Sequence, residues 1–137
     1  MIVVDASALL EVLLQTSMAQ KVSDRLFRAD ESLAAPHLID VEIAQVLRRY
    51  QAAGQMDDQR CREALADLFD LPLVRYPHDF LLPRVWELSH NLTAYDAVYL
   101  ALAEALEVPL VTRDSGLAGA PERLSPLRCV EVSFAMP

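Results

Sequence analysis

The stretch Ile2-Val3-Val4-Asp5-Ala6-Ser7 runs three aliphatic side chains directly into a carboxylate. An unbroken apolar run of this length, without alternation, reads as a strand covered on both faces, as in a parallel sheet. Leu110-Val111-Thr112-Arg113-Asp114 repeats the plan late in the chain. Working outward, Ser32 to Ala35 (closed by Pro36), Pro72 to Arg75 and Cys129 to Phe134 read as further short strands. Helical patterns lie between them. The alternation of short apolar runs with helices predicts an α/β fold with a parallel sheet and helical crossovers.

The helices are read from their spacing. Ser7 to Leu14 and Ala19 to Ala29 follow the first strand. Leu38 to Ala53 carries Ile39, Ile43, Val46, Leu47 and Tyr50 at i, i+4, i+7, i+8 and i+11, with Gly54 as its stop. Asp57 to Asp70 presents Cys61, Leu65, Leu68 and Phe69, and Asp79 to His90 is organised around Leu82, Val85, Trp86 and Leu88. The helix opened by Thr93 is apolar on all sides from Ala97 to Ala103, which predicts burial.

Composition removes several classes. The chain has 137 residues, suited to a single domain spanning 1–137, and 53% hydrophobic content excludes a disordered chain. Two Cys exclude a disulfide scaffold, and three Gly exclude a glycine-rich phosphate loop. Charge breaks every apolar run well before the ~20 residues a membrane helix needs. The start Met-Ile-Val-Val-Asp has no basic n-region, so a reducing cytoplasm is the expected compartment. The net charge of −8 runs against the basic character usual in nucleic-acid binders. Eleven of the twelve cations are Arg, which grips phosphate through a planar fork; the exception is Lys21.

Four acids stand apart from solvated helix faces. Asp5 and Asp114 each follow an apolar strand, and ligands of open parallel sheets bind outside strand carboxyl ends. Each is equally placed to cap the helix that follows. Glu42 borders the apolar stripe of its helix with Gln45 and Val46, not cations, at i+3 and i+4. It is either a half-exposed flank residue or a carboxylate that needs a partner. Thr93-x-x-Asp96 fits a capping box, which does not prevent Asp96 from facing a metal. Taken jointly, the four can converge if the strands ending at Asp5 and Asp114 are neighbours. Clustered carboxylates repel, and a divalent cation relieves the repulsion. An all-oxygen set selects Mg²⁺ or Mn²⁺, while His37, His78, His90, Cys61 and Cys129 show no zinc spacing. No nucleophile elbow is present, so acids, metal and water point to phosphate-ester hydrolysis.

These segments resemble PIN-domain ribonucleases, specifically VapC-type toxins of type II toxin–antitoxin pairs. The carriers are Val4 to Leu9, Glu42, the run Thr93-Ala94-Tyr95-Asp96-Ala97-Val98-Tyr99-Leu100-Ala101-Leu102-Ala103, and Leu110 to Asp114. The resemblance implies a three-layer α/β/α sandwich around a five-stranded parallel sheet of order 3-2-1-4-5. It implies Asp5, Glu42, Asp96 and Asp114 as catalytic and metal-binding acids, with Ser7 and Thr112 in support. It also implies Mg²⁺- or Mn²⁺-dependent endonucleolytic cleavage of RNA, a homodimer, and a small VapB-like antitoxin docked over the site. Arg113 beside the site is a candidate phosphate contact or a solvated turn residue.

Rival readings are narrowed by single residues. A receiver-type phosphoacceptor needs a Lys at a late strand end, and Lys21 is the only Lys. A dehalogenase-type phosphatase wants an Asp at position 7, where Ser7 stands. The alternative left standing is a catalytically silent PIN-like module that binds RNA or protein.

Overall fold

The computed structural model describes residues 1–121 and the backbone of residues 132–134. The chain runs β1 (Ile2–Val4), α1 (Ala6–Leu13), α2 (Ala19–Leu26), β2 (Leu33–Pro36), α3 (Leu38–Ala52), α4 (Asp58–Asp70), β3 (Leu73–Tyr76), a 3₁₀ turn (Asp79–Leu81), α5 (Leu82–Leu88), α6 (Ala94–Leu106), β4 (Leu110–Thr112), α7 (Ser115–Ala118) and β5 (Val132–Phe134). The first four strands pair in parallel in the order β3-β2-β1-β4, and β5 extends the sheet beyond β4. Cys129 lies outside the described residues.

This order places the site. The chain winds from β1 outward to β3, then returns to the other side of β1 for β4. The winding direction therefore reverses between β1 and β4, and the crevice of a doubly wound sheet opens at that point, at the strand carboxyl ends. Val4 is in register with Val111, so Asp5 and Thr112 emerge side by side. Right-handed crossovers put the helices after β1 and β2 on one face and those after β3 on the other. Contacts agree: α1 packs on α2, α3 and α4, whereas α5 packs on α6.

The core follows the predicted periods in part. Ile2, Val3 and Val4 are fully buried, as a strand covered on both faces requires. Every residue of α6 from Ala97 to Glu104 is buried, because this helix lies across β1, β2 and β4. Ile39, Ile43 and Leu47 form the inward stripe of α3, but Tyr50 is exposed and Val46 only half-buried. Gly54 follows α3 with φ +72°, a backbone conformation that favours glycine.

Two expected faces are corrected. The buried stripe of α4 is Cys61, Ala64 and Leu68, while Leu65 and Phe69 face solvent, Phe69 at 82% exposure. Cys61, Ala64 and Leu68 are spaced i, i+3, i+7, and Leu65 and Phe69 each come one position, about 100° round the helix, after a member of that stripe (Ala64 and Leu68). In the segment from Asp79, the first turn is 3₁₀, and Leu81, Val85 and Leu88 pack inward instead of Leu82 and Trp86. Glu104 is the one buried charge on α6, and Arg84 of α5 meets it with two hydrogen bonds of 2.9 and 3.1 Å.

Candidate active site

A single cleft of about 850 Å³ opens at the β1/β4 carboxyl ends, and Asp5, Glu42, Asp96 and Asp114 all line it. Each acid is delivered by a local device. Asp5 N-caps α1: its Oδ1 accepts from the Ala8 amide at 3.1 Å and the Ser7 hydroxyl at 2.7 Å. Its Oδ2 accepts a short hydrogen bond from the Thr112 hydroxyl on the neighbouring strand. Asp114 N-caps α7 by accepting from the Leu117 amide at 3.0 Å. Asp96 sits in the first turn of α6, whose cap Thr93 accepts from the Asp96 amide at 3.1 Å. Helix N-termini carry partial positive charge, which favours carboxylates beside them.

Ser7 and Thr112 knit the two strand ends together. The Ser7 hydroxyl accepts from the Arg113 amide at 2.9 Å, and the Thr112 hydroxyl accepts from the Asp114 amide at 2.9 Å. The two hydroxyl oxygens lie 3.3 Å apart. Thr112 is fully buried, so its hydroxyl needs these partners to avoid a desolvation cost. Arg113 also lines the cleft, with Nε 4.0 Å from a carboxylate oxygen of Glu11.

Glu42 is reached by a residue that periodicity alone assigns to the core. The Tyr99 hydroxyl donates to Glu42 Oε1 at 2.5 Å, from a ring that is 1% exposed. The signal was present in the sequence. A buried tyrosine requires a partner for its hydroxyl, and Tyr99 stands at i+3 from Asp96, on the same helix face.

The electrostatics tie the acids into one system. Burial raises the pKa of Asp5, against hydrogen bonds from Thr112, Ser7 and Ala8 that lower it, and the charge of Asp96 raises it further. Burial likewise raises Glu42, with Tyr99 lowering it and Asp5 and Asp96 adding repulsion. Asp96 is raised by burial and then by Asp114. Every one of the four therefore feels, or acts on, another.

This acidic, all-oxygen donor set fits a hard divalent cation in chemistry and charge. As the side chains stand, no three acids, His or Cys among the described residues are gathered at ligand spacing. The convergence is therefore one of cleft and field, not of a closed coordination shell. Among the described residues no helix is long and apolar enough to cross a membrane.

Comparison with known proteins agrees with this architecture. The PIN domain profile matches residues 2–122. Ribonuclease VapC1 of Mycobacterium tuberculosis is 44% identical over 121 residues, covering 87% of this chain and 90% of the relative. VapC ribonuclease Mb0985 of Mycobacterium bovis is 43% identical over 130 residues, covering 95% and 98%. The crystal structure of Mycobacterium tuberculosis VapC20, a Sarcin-Ricin loop cleaving toxin, superposes with a TM-score of 0.69 over 88% of this chain and 95% of that one. At 15% identity that match speaks for the fold alone. A sheet that reverses direction beside Asp5, a cleft lined by four coupled acids and close kinship with VapC ribonucleases lead to one assignment: the chain belongs to the PIN-domain family.

Proposed function

We propose that the protein is a metal-dependent endoribonuclease toxin that hydrolyses RNA phosphodiester bonds. In this reading Mg²⁺ or Mn²⁺ is held by Asp5, Glu42, Asp96 and Asp114. The protein works as a cytoplasmic homodimer and is neutralised by a VapB-like antitoxin. Kinship with VapC ribonucleases supports the ribonuclease class. The observation that carries the metal-dependent reading is the lining of one cleft by four acids, each of which repels at least one other. Repulsion of that kind costs stability unless a cation or a substrate-bound cation offsets it.

A bound divalent cation supplies charge stabilisation at the phosphodiester and makes a nucleophile available from water near neutral pH. The chain's own residues do the rest. Thr112 and Ser7 hold the Asp5 carboxylate fixed at the centre of the site. Asp96 and Asp114 present their carboxylates from helix N-termini on either side. Glu42, half-buried with a raised pKa, is suited to orient the attacking water and accept its proton. Arg113 and Arg49, both on the cleft wall, are positioned for backbone phosphates of the RNA. With a net charge of −8, RNA attraction rests on the cation and these local Arg residues, so metal-free RNA binding is expected to be weak at physiological salt.

The test is cleavage of structured RNA pools by purified, antitoxin-free protein in Mg²⁺, Mn²⁺ and EDTA, beside Asp5→Asn. Cleavage that requires the cation and disappears in the variant supports the reading. Equal products from wild type and variant, or none from either across several pools, would leave the silent binding module as the better description.

A further inference from the structure

Three of the four acids are held by the strand ends and helix caps that carry them. Asp5 is fixed by three donors, Asp114 by the Leu117 amide, and Asp96 by its place against Thr93. Glu42 differs. It projects from the middle of α3 on the longest acidic side chain and has no cap to hold it. Among the described residues its hydrogen-bond partner is Tyr99, from α6, which also lines the cleft. Only Oε1 is engaged by that bond.

A free glutamate side chain samples many rotamers, and fixing one of them costs conformational freedom. The Tyr99 ring is already held by packing in the core, at 1% exposure within a helix buried from Ala97 to Glu104. Its hydroxyl therefore offers a fixed anchor at no further ordering cost. Asp96 and Tyr99 lie one turn apart on α6, so the same rigid helix that presents one acid sets the reach of another.

We propose that Tyr99 is a positioning residue of this site: its buried hydroxyl pins Glu42 Oε1 and leaves Oε2 to serve the cleft. The proposal rests on the metal-dependent reading above for its functional consequence, though not for the pinning itself. Tyr99→Phe removes only the hydroxyl and keeps the ring in the core.

The test has two arms on purified protein without RNA. In the first, Mn²⁺ binding is measured by calorimetry for wild type, Tyr99→Phe, Glu42→Gln and the double variant. Tyr99→Phe is expected to weaken Mn²⁺ affinity about tenfold, the scale of losing an outer hydrogen bond to a ligating carboxylate. It should add nothing in the Glu42→Gln background. Wild-type affinity in Tyr99→Phe, or an equal loss in both backgrounds, overturns the proposal. In the second arm, NMR relaxation of the Glu42 side-chain carbons is compared between wild type and Tyr99→Phe. Rigid Glu42 in wild type and mobile Glu42 in the variant supports pinning, and equal mobility refutes it. Should wild type bind no Mn²⁺, the metal reading fails by itself, and the relaxation arm still decides the role of Tyr99.

Discussion

The acidic site should cost the fold stability, and Asp5→Asn measures that cost. Asp5 is 5% exposed, and burial is the largest influence on its pKa, acting to raise it. Asparagine keeps the Oδ1 acceptor that Ser7 and the Ala8 amide use, and caps a helix as well as aspartate does. Its amide donates toward Thr112, whose hydroxyl can turn to the Ser7 oxygen 3.3 Å away. The exchange gives up charge-assisted bonds worth about 1.5–3 kcal/mol each against neutral ones of about 1. It also removes a desolvation penalty of several kcal/mol for a buried carboxylate and its repulsion by Asp96. Burial is the largest influence on Asp5, so the balance favours Asn, on the order of 1 kcal/mol, in EDTA-treated protein at pH 7. For a chain of this length that is on the order of 4 °C in Tm.

The pH dependence has a definite sign. A folded-state pKa above the ordinary aspartate range means that the native state binds the proton more tightly than the unfolded chain does. The wild-type penalty is thus absent below about pH 4 and grows as pH rises through the raised value. The advantage of Asp5→Asn should therefore be near zero at pH 4 and larger at pH 7. Thermal and urea unfolding of both proteins, in EDTA at both pH values, reads this out. Asp5→Asn less stable than wild type by 2 kcal/mol or more at pH 7 would refute the reasoning, since Asp5 would then be a net structural cap.

Saturating Mn²⁺ should raise wild-type Tm by about 9 °C, taking about 2.7 kcal/mol at 100-fold over Kd, with the shift growing as pH rises above about 4 and vanishing in Asp5→Asn. A pH-independent shift, or one that persists in the variant, would place the cation elsewhere. Arg84→Ala strands the buried Glu104 carboxylate and should cost about 3–5 kcal/mol by urea unfolding, much of it recovered by pairing Arg84→Met with Glu104→Leu; a loss under about 1 kcal/mol would mean the pair is solvated. Asp114→Asn should keep the α7 cap and unfold within about 0.5 kcal/mol of wild type, whereas Asp114→Ala should lose about 1 kcal/mol, and both should lose RNA cleavage. An active Asp114→Asn would reduce Asp114 to a cap.

The β strands were legible because burial on both faces leaves no alternation, as in Ile2-Val3-Val4 and Leu110-Val111, and because an acid directly after such a run marks the strand end. The all-apolar α6 was legible for the same reason. The amphipathic faces of α4 and α5 were not. Leu65, Phe69, Leu82 and Trp86 are apolar but exposed, and apolarity alone does not say which of two adjacent stripes meets the core. Tyr99 was read as one more core residue because periodicity reports where a side chain goes, not which atom at its tip needs a partner. The link between Ser7 and Thr112 joins residues 105 positions apart, a proximity that only the β1/β4 pairing creates.

For each of three acids, sequence offered a choice between helix cap and metal-site residue, and the fold removes the opposition. Asp5 and Asp114 cap α1 and α7, and Asp96 lies in the first turn of α6, yet all three line the same cleft. Strands that run parallel deliver their chain ends to one edge; the helix following such a strand begins there, as α1 and α7 do, and so does a helix that runs back into the next strand, as α6 does into β4. A residue that caps such a helix is therefore at the crevice by construction. The helix N-terminus also favours the charge that burial and neighbouring acids oppose. The cap thus lets several carboxylates remain at one edge of the sheet, so it is part of how the acidic site is held rather than a rival explanation for it. Glu42, the acid without a helix N-terminus beside it, is the one that draws on a hydroxyl from another element, Tyr99.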